Sequence, residues 1–391
     1  MREAYDWPMP SDGHKAASTP HGPDSAYSSA GVNYQTLDAG KRDALAQALA
    51  TSSLLQATEG HAIDASRGEP AFVFELGGRT FGFALECLGT KSLIARQLED
   101  DLGASTYANV AYDAVAAIVN DLCCVGALPL VVNAYFATGS SEWYEREDRK
   151  AALYRGWREA CEDAGATWGG GESPVLSGLV ATSEIELAGS AVGVVPGRTA
   201  ILGAELNAGD EIVLVSSTGL HANGASLARR VAEQLDDGYR TPLQSGRPFG
   251  EALLDRSAMY VGLVRKLLVS GVEVHYLSHI TGHGLLKLMR PRRDFTCRII
   301  SLPEVPEVLE FLVVQGGLSA AEAYSSFNMG CGFAVYCAAG YGHAVVQTAC
   351  EQGLPARVAG HLEHGPRRLI LDELGLVFEG AALDLAPGPR A

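Results

Sequence analysis

Two carboxylates and an amide, Asp113, Asn120 and Asp121, fall within one apolar stretch, Tyr112–Val125, whose Ala116, Val119, Leu122 and Cys123 recur at helical spacing. Residues seven apart lie about 20° apart around a helix, and Asp121 lies roughly 80° from Asp113. One edge of the helix thus carries oxygen donors suited to Mg²⁺ held together with phosphates, or else a solvated face. A second cluster, Glu86-Cys87-Leu88-Gly89-Thr90-Lys91, follows an apolar strand. It offers a carboxylate, close backbone approach at glycine, a hydroxyl and a phosphate-neutralising lysine, without the glycine spacing of a Walker loop. Read alone, it can equally be a plain loop. A third, Gly169-Gly170-Gly171-Glu172-Ser173, reads as a loop that turns N–H groups toward an anion beside a carboxylate, or as a flexible connection.

Three further segments carry polar groups in glycine-rich surroundings. Ser216–Gly224, with His221 and Asn223, stands between a predicted strand and the helix Ala225–Leu235, whose N-terminus would favour phosphate, with Asn223 as its cap. His279-Ile280-Thr281-Gly282-His283-Gly284 lacks a third metal ligand and reads as a polar binding loop. Phe327-Asn328-Met329-Gly330 reads as a turn before a strand.

These segments need a scaffold, and the chain supplies one. Its 391 residues suit two domains, and 47% hydrophobic with 19% charged residues is an ordinary globular balance. The formal charge of −16 and the absence of a Lys/Arg run argue against nucleic acid. The short cluster Arg290, Arg292 and Arg293 reads as a solvated element end. Eight cysteines without a C-x-x-C pair fit reduced core residues of a cytoplasmic protein. Residues 1–25 are polar and Pro/Gly-rich, giving a disordered extension without a secretory pattern, and no apolar run is long enough for a membrane span.

A helix is expected from Asp43, with that residue as its cap, followed by strands Ala71–Glu75 and Thr80–Leu85 joined at Gly77-Gly78. Strand Leu130–Phe136, helix Arg146–Ala164 stopped by Gly165, and strand Glu184–Val195 complete the first half. A boundary is expected from Pro196 to Asp210. Strand Glu211–Ser216, helices Ala225–Leu235 and Ala258–Leu268, a loop at 278–284, strand Phe295–Ser301, helix Val305–Gln315, strand Gly332–Cys337 and helix Val345–Gln352 follow. The mixture lacks a βαβ beat and predicts two α/β domains of α+β type, 26–196 and 208–380.

In this order, from about residue 26 to 365, the segments resemble the AIR synthase (phosphoribosylformylglycinamidine cyclo-ligase) family. Tyr27-Ser28-Ser29-Ala30-Gly31-Val32-Asn33, Gly89-Thr90-Lys91, Val119-Asn120-Asp121-Leu122, Tyr135–Gly139, Gly170–Ser173, Ala188–Gly193, Ser217–Gly224 and the two late motifs carry the likeness. The resemblance implies an N-terminal domain that forms a β-barrel across a homodimer and a C-terminal α/β domain. It implies a small nucleotide substrate, formylglycinamidine ribonucleotide, with ATP and Mg²⁺. Phosphorylation of the formyl oxygen would give an iminophosphate, which the amidine nitrogen attacks to close the ring.

Carried onto this chain, the resemblance makes Glu86, Gly89, Thr90, Lys91, Asp113, Asn120, Gly170, Gly171 and Glu172 nucleotide-binding. It makes Asp121, Glu172 and Glu86 metal ligands, and Lys91, Asp121 and His221 catalytic. Thr138, Gly139, Asn223, Gly224, Thr281, Gly282 and Asn328, together with His221, would line the substrate cleft. Departures stand at Glu86 (usually Asp), Ala134 (usually Asp), Pro174–Ser177, Arg256-Ser257-Ala258 and His283 (usually Gly). The alternatives are a related ATP enzyme acting on another amide or carboxylate, and a non-catalytic nucleotide-binding homologue.

Overall fold

The computed structural model describes residues 15–16, 34–197 and 199–383. Apart from Lys15–Ala16, the expected extension over 1–25 and the Tyr27–Asn33 motif lie outside the described residues. The strands are β1 (Lys15–Ala16), β2 (His61–Ile63), β3 (Phe72–Leu76), β4 (Arg79–Cys87), β5 (Leu128–Thr138), β6 (Thr167–Glu172) and β7 (Ile185–Val194). They continue with β8 (Glu211–Ser216), β9 (Val274–His279), β10 (Phe295–Ile299), β11 (Cys331–Cys337), β12 (Ala356–His364), β13 (Arg368–Leu371) and β14 (Leu376–Glu379). Two compact units form, and the chain crosses between them more than once. A helix-backed unit takes residues 70–200 and 218–265; a second unit takes 1–69, 201–217 and 266–391.

In the helix-backed unit the strand order is β3-β4-β7-β5-β6. The hairpin expected at Gly77-Gly78 is present: β3 and β4 pair antiparallel, and both glycines have positive φ, 58° and 72°. The helix Ser105–Cys123 is buried almost throughout. It approaches the sheet so closely that a Cβ on Gly82 would lie 3.0 Å from Leu122 Cδ1, and one on Gly193 2.8 Å from Leu122 Cδ2. The helix Glu147–Ala164 packs beside it and ends at Gly165, in the left-handed region with φ 65°. Trp157 from this helix is fully buried and meets Phe136 edge-on, ring centroids 5.0 Å apart.

The other face of that sheet is different. Side chains alternate along β4, so Thr80, Gly82 and Ala84 are buried while Phe83 and Leu85 are 43% and 67% exposed. Leu130 on β5 is 43% exposed, and Phe74 stacks on Phe81 on the neighbouring pair. Among the described residues, this apolar sheet face is left partly exposed.

The second unit holds a mixed sheet, β1-β14-β13-β10-β12-β8-β11-β9. Its central β8 and β11 read as continuous apolar runs because both faces are covered: Ile212–Val215 and all of Cys331–Cys337 are buried. Strands β9, β12, β13 and β14 and the helix Ala320–Ser326, opened by a Ser319–Glu322 capping box, were not expected from the sequence. Part of the expected loop at 278–284 is strand, since β9 runs through His279 and pairs with β11. Asp43 lies inside a helix that begins at Tyr34, so it is not a cap. Among the described residues no helix is long and apolar enough to cross a membrane, and no disulfide forms.

Candidate active site

The helix-backed unit gathers several of the expected residues around one buried ammonium. Lys91 opens the helix Lys91–Leu102 and is fully buried. Its Nζ donates to Asp113 Oδ2 at 2.5 Å, to the His221 carbonyl at 2.8 Å and to the Asp255 carbonyl at 3.4 Å. An ammonium has three N–H donors, and these acceptors use all of them. Asp113 completes the exchange: its Oδ1 accepts from the Ser257 N–H at 2.6 Å. The resemblance assigns Lys91 and Asp113 to nucleotide binding. In this structure they form a buried pair that ties the start of one helix to the loops at 218–221 and 255–257. Such a pair is stable only while both members are present.

Asn120, one helical turn from Cys124, is likewise spent on backbone. Its Nδ2 donates to the Ala258 carbonyl and its Oδ1 accepts from the Tyr260 N–H, both at 2.9 Å. That clamp holds 258–260 out of helical conformation, which is why the helix expected from Ala258 begins at Val261. His221 stands in the left-handed region, φ 60°. Its Nε2 receives the Thr218 N–H at 3.1 Å and the Ala258 N–H at 3.4 Å. A backbone N–H can only donate, so Nε2 is an acceptor and the ring proton sits on Nδ1. Thr90 Oγ1 meets Ser226 Oγ at 2.9 Å at the start of the helix Ala225–Gln234. That helix is preceded by Gly224, φ 103°, in the capping position with no side-chain cap, so Asn223 does not cap it.

The triple glycine is a correction. Gly169–Glu172 belongs to β6, an edge strand parallel to β5 with Gly171 opposite Ala134 and Glu172 opposite Tyr135. Glycine is needed there for approach rather than for a loop: a Cβ on Gly171 would lie 2.1 Å from the Ala134 carbonyl oxygen. Glu172 is exposed at the strand end, Glu86 is half-buried at the end of β4, and Asp121 is buried in the last turn of its helix. Among the described residues no group of three or more His, Cys, Asp or Glu side chains is placed to hold a metal. The trio Asp121, Glu172 and Glu86 therefore builds no cation cage within one chain. Asp121 sits at the negative end of a helix dipole, a position that favours a bound cation nearby.

Thr138 is buried, and its backbone exchanges hydrogen bonds with Pro174 and Leu176. Gly139 is pressed against the same loop, where a Cβ would lie 2.1 Å from the Ala181 carbonyl oxygen. In the second unit, Asn328 Oδ1 accepts from Ser217 Oγ at 2.8 Å and from the Gly330 N–H at 3.0 Å, fixing a tight turn. Thr281 and Gly282 precede His283, whose φ is 69° and whose Nε2 lies 3.0 Å from Asp38 Oδ2. Burial lowers the His283 pKa, and Asp38 opposes that shift.

Sequence reasoning missed Ser226, Asp255 and Glu186, whose Oε1 accepts from the Gly89 N–H at 3.2 Å. Their only local signal is proximity to a motif. Arg256 was noted as a departure. It lies over the Tyr112 ring at 4.8 Å and pairs with Glu159 at 2.7 Å.

Two family models match the chain: the AIR synthase related protein N-terminal domain over residues 68–195 and the C-terminal domain over 207–372. A phosphoribosylformylglycinamidine cyclo-ligase of Carboxydothermus hydrogenoformans is 32% identical over 73% of this chain and 81% of its own length. One of Methanothermobacter thermautotrophicus is 33% identical over 68% of this chain and 75% of its own. Among solved structures, AaThiL complexed with AMPPCP and TMP superposes with a TM-score of 0.53 at 16% identity, covering 78% of this chain and 87% of that one. That likeness bears on the fold alone. Matched in both halves, and at this identity over most of its length, the chain belongs to the AIR synthase related family.

Proposed function

We propose that this chain is an ATP-dependent cyclo-ligase of purine biosynthesis, converting formylglycinamidine ribonucleotide to aminoimidazole ribonucleotide with release of ADP and phosphate. The match of both halves to one family, with relatives of that name at 32–33% identity, carries the reading. The chemistry is consistent with it. An amide oxygen leaves poorly until it is phosphorylated, and a site for phosphoryl transfer works by positioning and charge neutralisation.

Within the helix-backed unit, Gly89, Thr90, Gly170, Gly171 and Glu172 remain candidates for nucleotide contact. Lys91, Asp113, Asn120 and His221 act as the frame that fixes the surrounding loops. Magnesium, when bound, would neutralise triphosphate charge. Asp121 with Glu86 or Glu172 would supply its protein oxygens, a sparse set that suits an ion keeping its waters and phosphate ligands. Thr138, Gly139, Asn223 and Gly224 in this unit, and Thr281, Gly282 and Asn328 in theirs, are proposed to touch substrate.

A second copy is proposed to cover the apolar sheet face bearing Phe83, Leu85 and Leu130, closing a barrel across a homodimer. Light scattering should give twice the 41.1 kDa chain mass, and Leu85→Asp should give the monomer. The cysteine pattern supports a cytoplasmic setting.

The deciding experiment supplies formylglycinamidine ribonucleotide, ATP and Mg²⁺ to the purified protein. Equal amounts of ADP and aminoimidazole are expected. ADP release only with other amides would move the protein to the broader family, and no ADP release with any amide would leave a binding protein.

A further inference from the structure

His283 holds a backbone conformation that suits glycine. Its φ of 69° lies in the left-handed region, and the residue is buried. A side chain persists at such a position where the surrounding contacts hold it there. The turn around it is tightly built. The Ile280 N–H donates to the Gly332 carbonyl at 3.0 Å, the Gly284 N–H to the Thr281 carbonyl at 2.9 Å and the Leu286 N–H to the His283 carbonyl at 3.1 Å. Gly284, φ 51°, rests against the chain at 324–327. A Cβ there would lie 2.4 Å from the Tyr324 carbonyl oxygen and 2.5 Å from that of Phe327.

A second hold comes from far away in sequence. The helix Tyr34–Leu49 brings Asp38 to His283, with Oδ2 3.0 Å from Nε2. A carboxylate oxygen accepts, so the His283 Nε2–H is the donor. Both residues belong to the second unit.

That helix is attached in an unusual way. A surface helix ordinarily docks through an apolar stripe. Here, over residues 36–49, Asp38 is the one buried side chain, and Leu37 beside it is 48% exposed. Asp38 Oδ1 is buried without a hydrogen-bond partner among the described residues. Burying a carboxylate is costly unless it is paired, so the bond to His283 offsets that cost. Each member of the pair is unfavourable by itself: an acid carried inward by an otherwise solvated helix, and a histidine in a glycine-like conformation. Together they join the helix to the turn that carries Thr281 and Gly282.

We propose that Asp38 and His283 are a positioning pair, through which the helix Tyr34–Leu49 clamps the Thr281–His283 turn in its ligand-binding shape. This rests on the reading that Thr281 and Gly282 touch substrate. A turn fixed in advance binds its ligand without the cost of ordering it, so the pair acts on substrate affinity.

The test joins two measurements on the full chain: hydrogen exchange over residues 36–49, and calorimetric binding of formylglycinamidine ribonucleotide. Asp38→Ala and His283→Gly should each speed exchange of the helix about tenfold, while the buried strands β8 and β11 stay protected. Both should weaken ribonucleotide binding about fivefold, with the affinity for ATP and Mg²⁺ unchanged. His283→Asn should recover most of both effects, because asparagine tolerates the left-handed region and can donate to Asp38. Glycine at 283 behaving as wild type would show that only the backbone shape matters and would overturn the pair. Unchanged exchange in Asp38→Ala would do the same. Faster exchange with unchanged ribonucleotide affinity would make the pair architectural and overturn its positioning role. No binding of the ribonucleotide by wild type, with the exchange differences intact, would remove the substrate reading and leave the clamp standing.

Discussion

The Lys91 frame and a cavity in the second unit, lined by Arg67, Arg290, Arg292, Arg293 and Arg367, gather charged groups in different ways. In the frame, one cation meets one carboxylate at 2.5 Å, and every remaining donor is met by backbone. In the cavity, five arginines and one carboxylate, Glu69, line one space, and backbone carbonyls hold Arg290 and Arg367. The first arrangement fixes loops. The second gathers like side chains from distant parts of the chain around one space. Counting basic residues near a motif does not separate the two; following where each N–H goes does.

The largest effect should come from splitting the frame. Asp113→Ala leaves the Lys91 ammonium buried without its carboxylate and should cost about 3–5 kcal/mol in urea unfolding. The pair replacement Lys91→Met/Asp113→Leu should recover most of that. A single variant within about 1 kcal/mol of wild type would mean the pair is solvated and available to a ligand. For the same reason Lys91→Ala should lower both turnover and stability, rather than turnover alone.

Asn120→Ala comes next. It removes two hydrogen bonds to a buried segment and should cost about 1–3 kcal/mol, with turnover falling as 258–260 loosens. Thermal unfolding with and without ATP measures both parts. Wild-type stability would refute the clamp.

At the cavity rim the stability effect should be small. Arg292→Ala/Arg293→Ala should shift unfolding by no more than about 0.5 kcal/mol, since exposed like charges add little to the fold. A strong loss would mean these arginines are architectural, as Lys91 is.

The smallest effect is a pH dependence at Glu69, whose carboxyl is raised above 4.5. Folded Glu69 keeps its proton to higher pH than unfolded Glu69. Its contribution to stability is therefore complete below the unfolded value and is lost as pH rises through the folded one. Relative to Glu69→Gln, wild type should lose stability as pH climbs from 4.5 toward neutrality. A constant difference across that range would show that Glu69 is solvated.

Much of the scaffold was legible because periodicity is local. The Gly77-Gly78 hairpin, the apolar helix expected over Tyr112–Val125 and found over Ser105–Cys123, and the stop at Gly165 follow from neighbouring residues alone. The triple glycine was misread because its strand character depends on Ala134, a partner on another strand rather than a pattern of its own. The same limit applies to the site. Lys91, Asp113 and Asn120 stand out in the sequence, yet their partners at 221 and 255–260 lie more than a hundred residues away. Arg292 and Arg293 are exposed, as the sequence reads them, while Arg67 and Arg367, remote in sequence, line the same cavity.

The most direct test of the proposed activity follows the oxygen. Formylglycinamidine ribonucleotide carrying a heavy-oxygen label in its formyl group should, on conversion with ATP, deliver that label to the released inorganic phosphate. Ring closure with the label found in water instead would contradict phosphorylation of the amide oxygen, and with it the chemistry assigned to this chain.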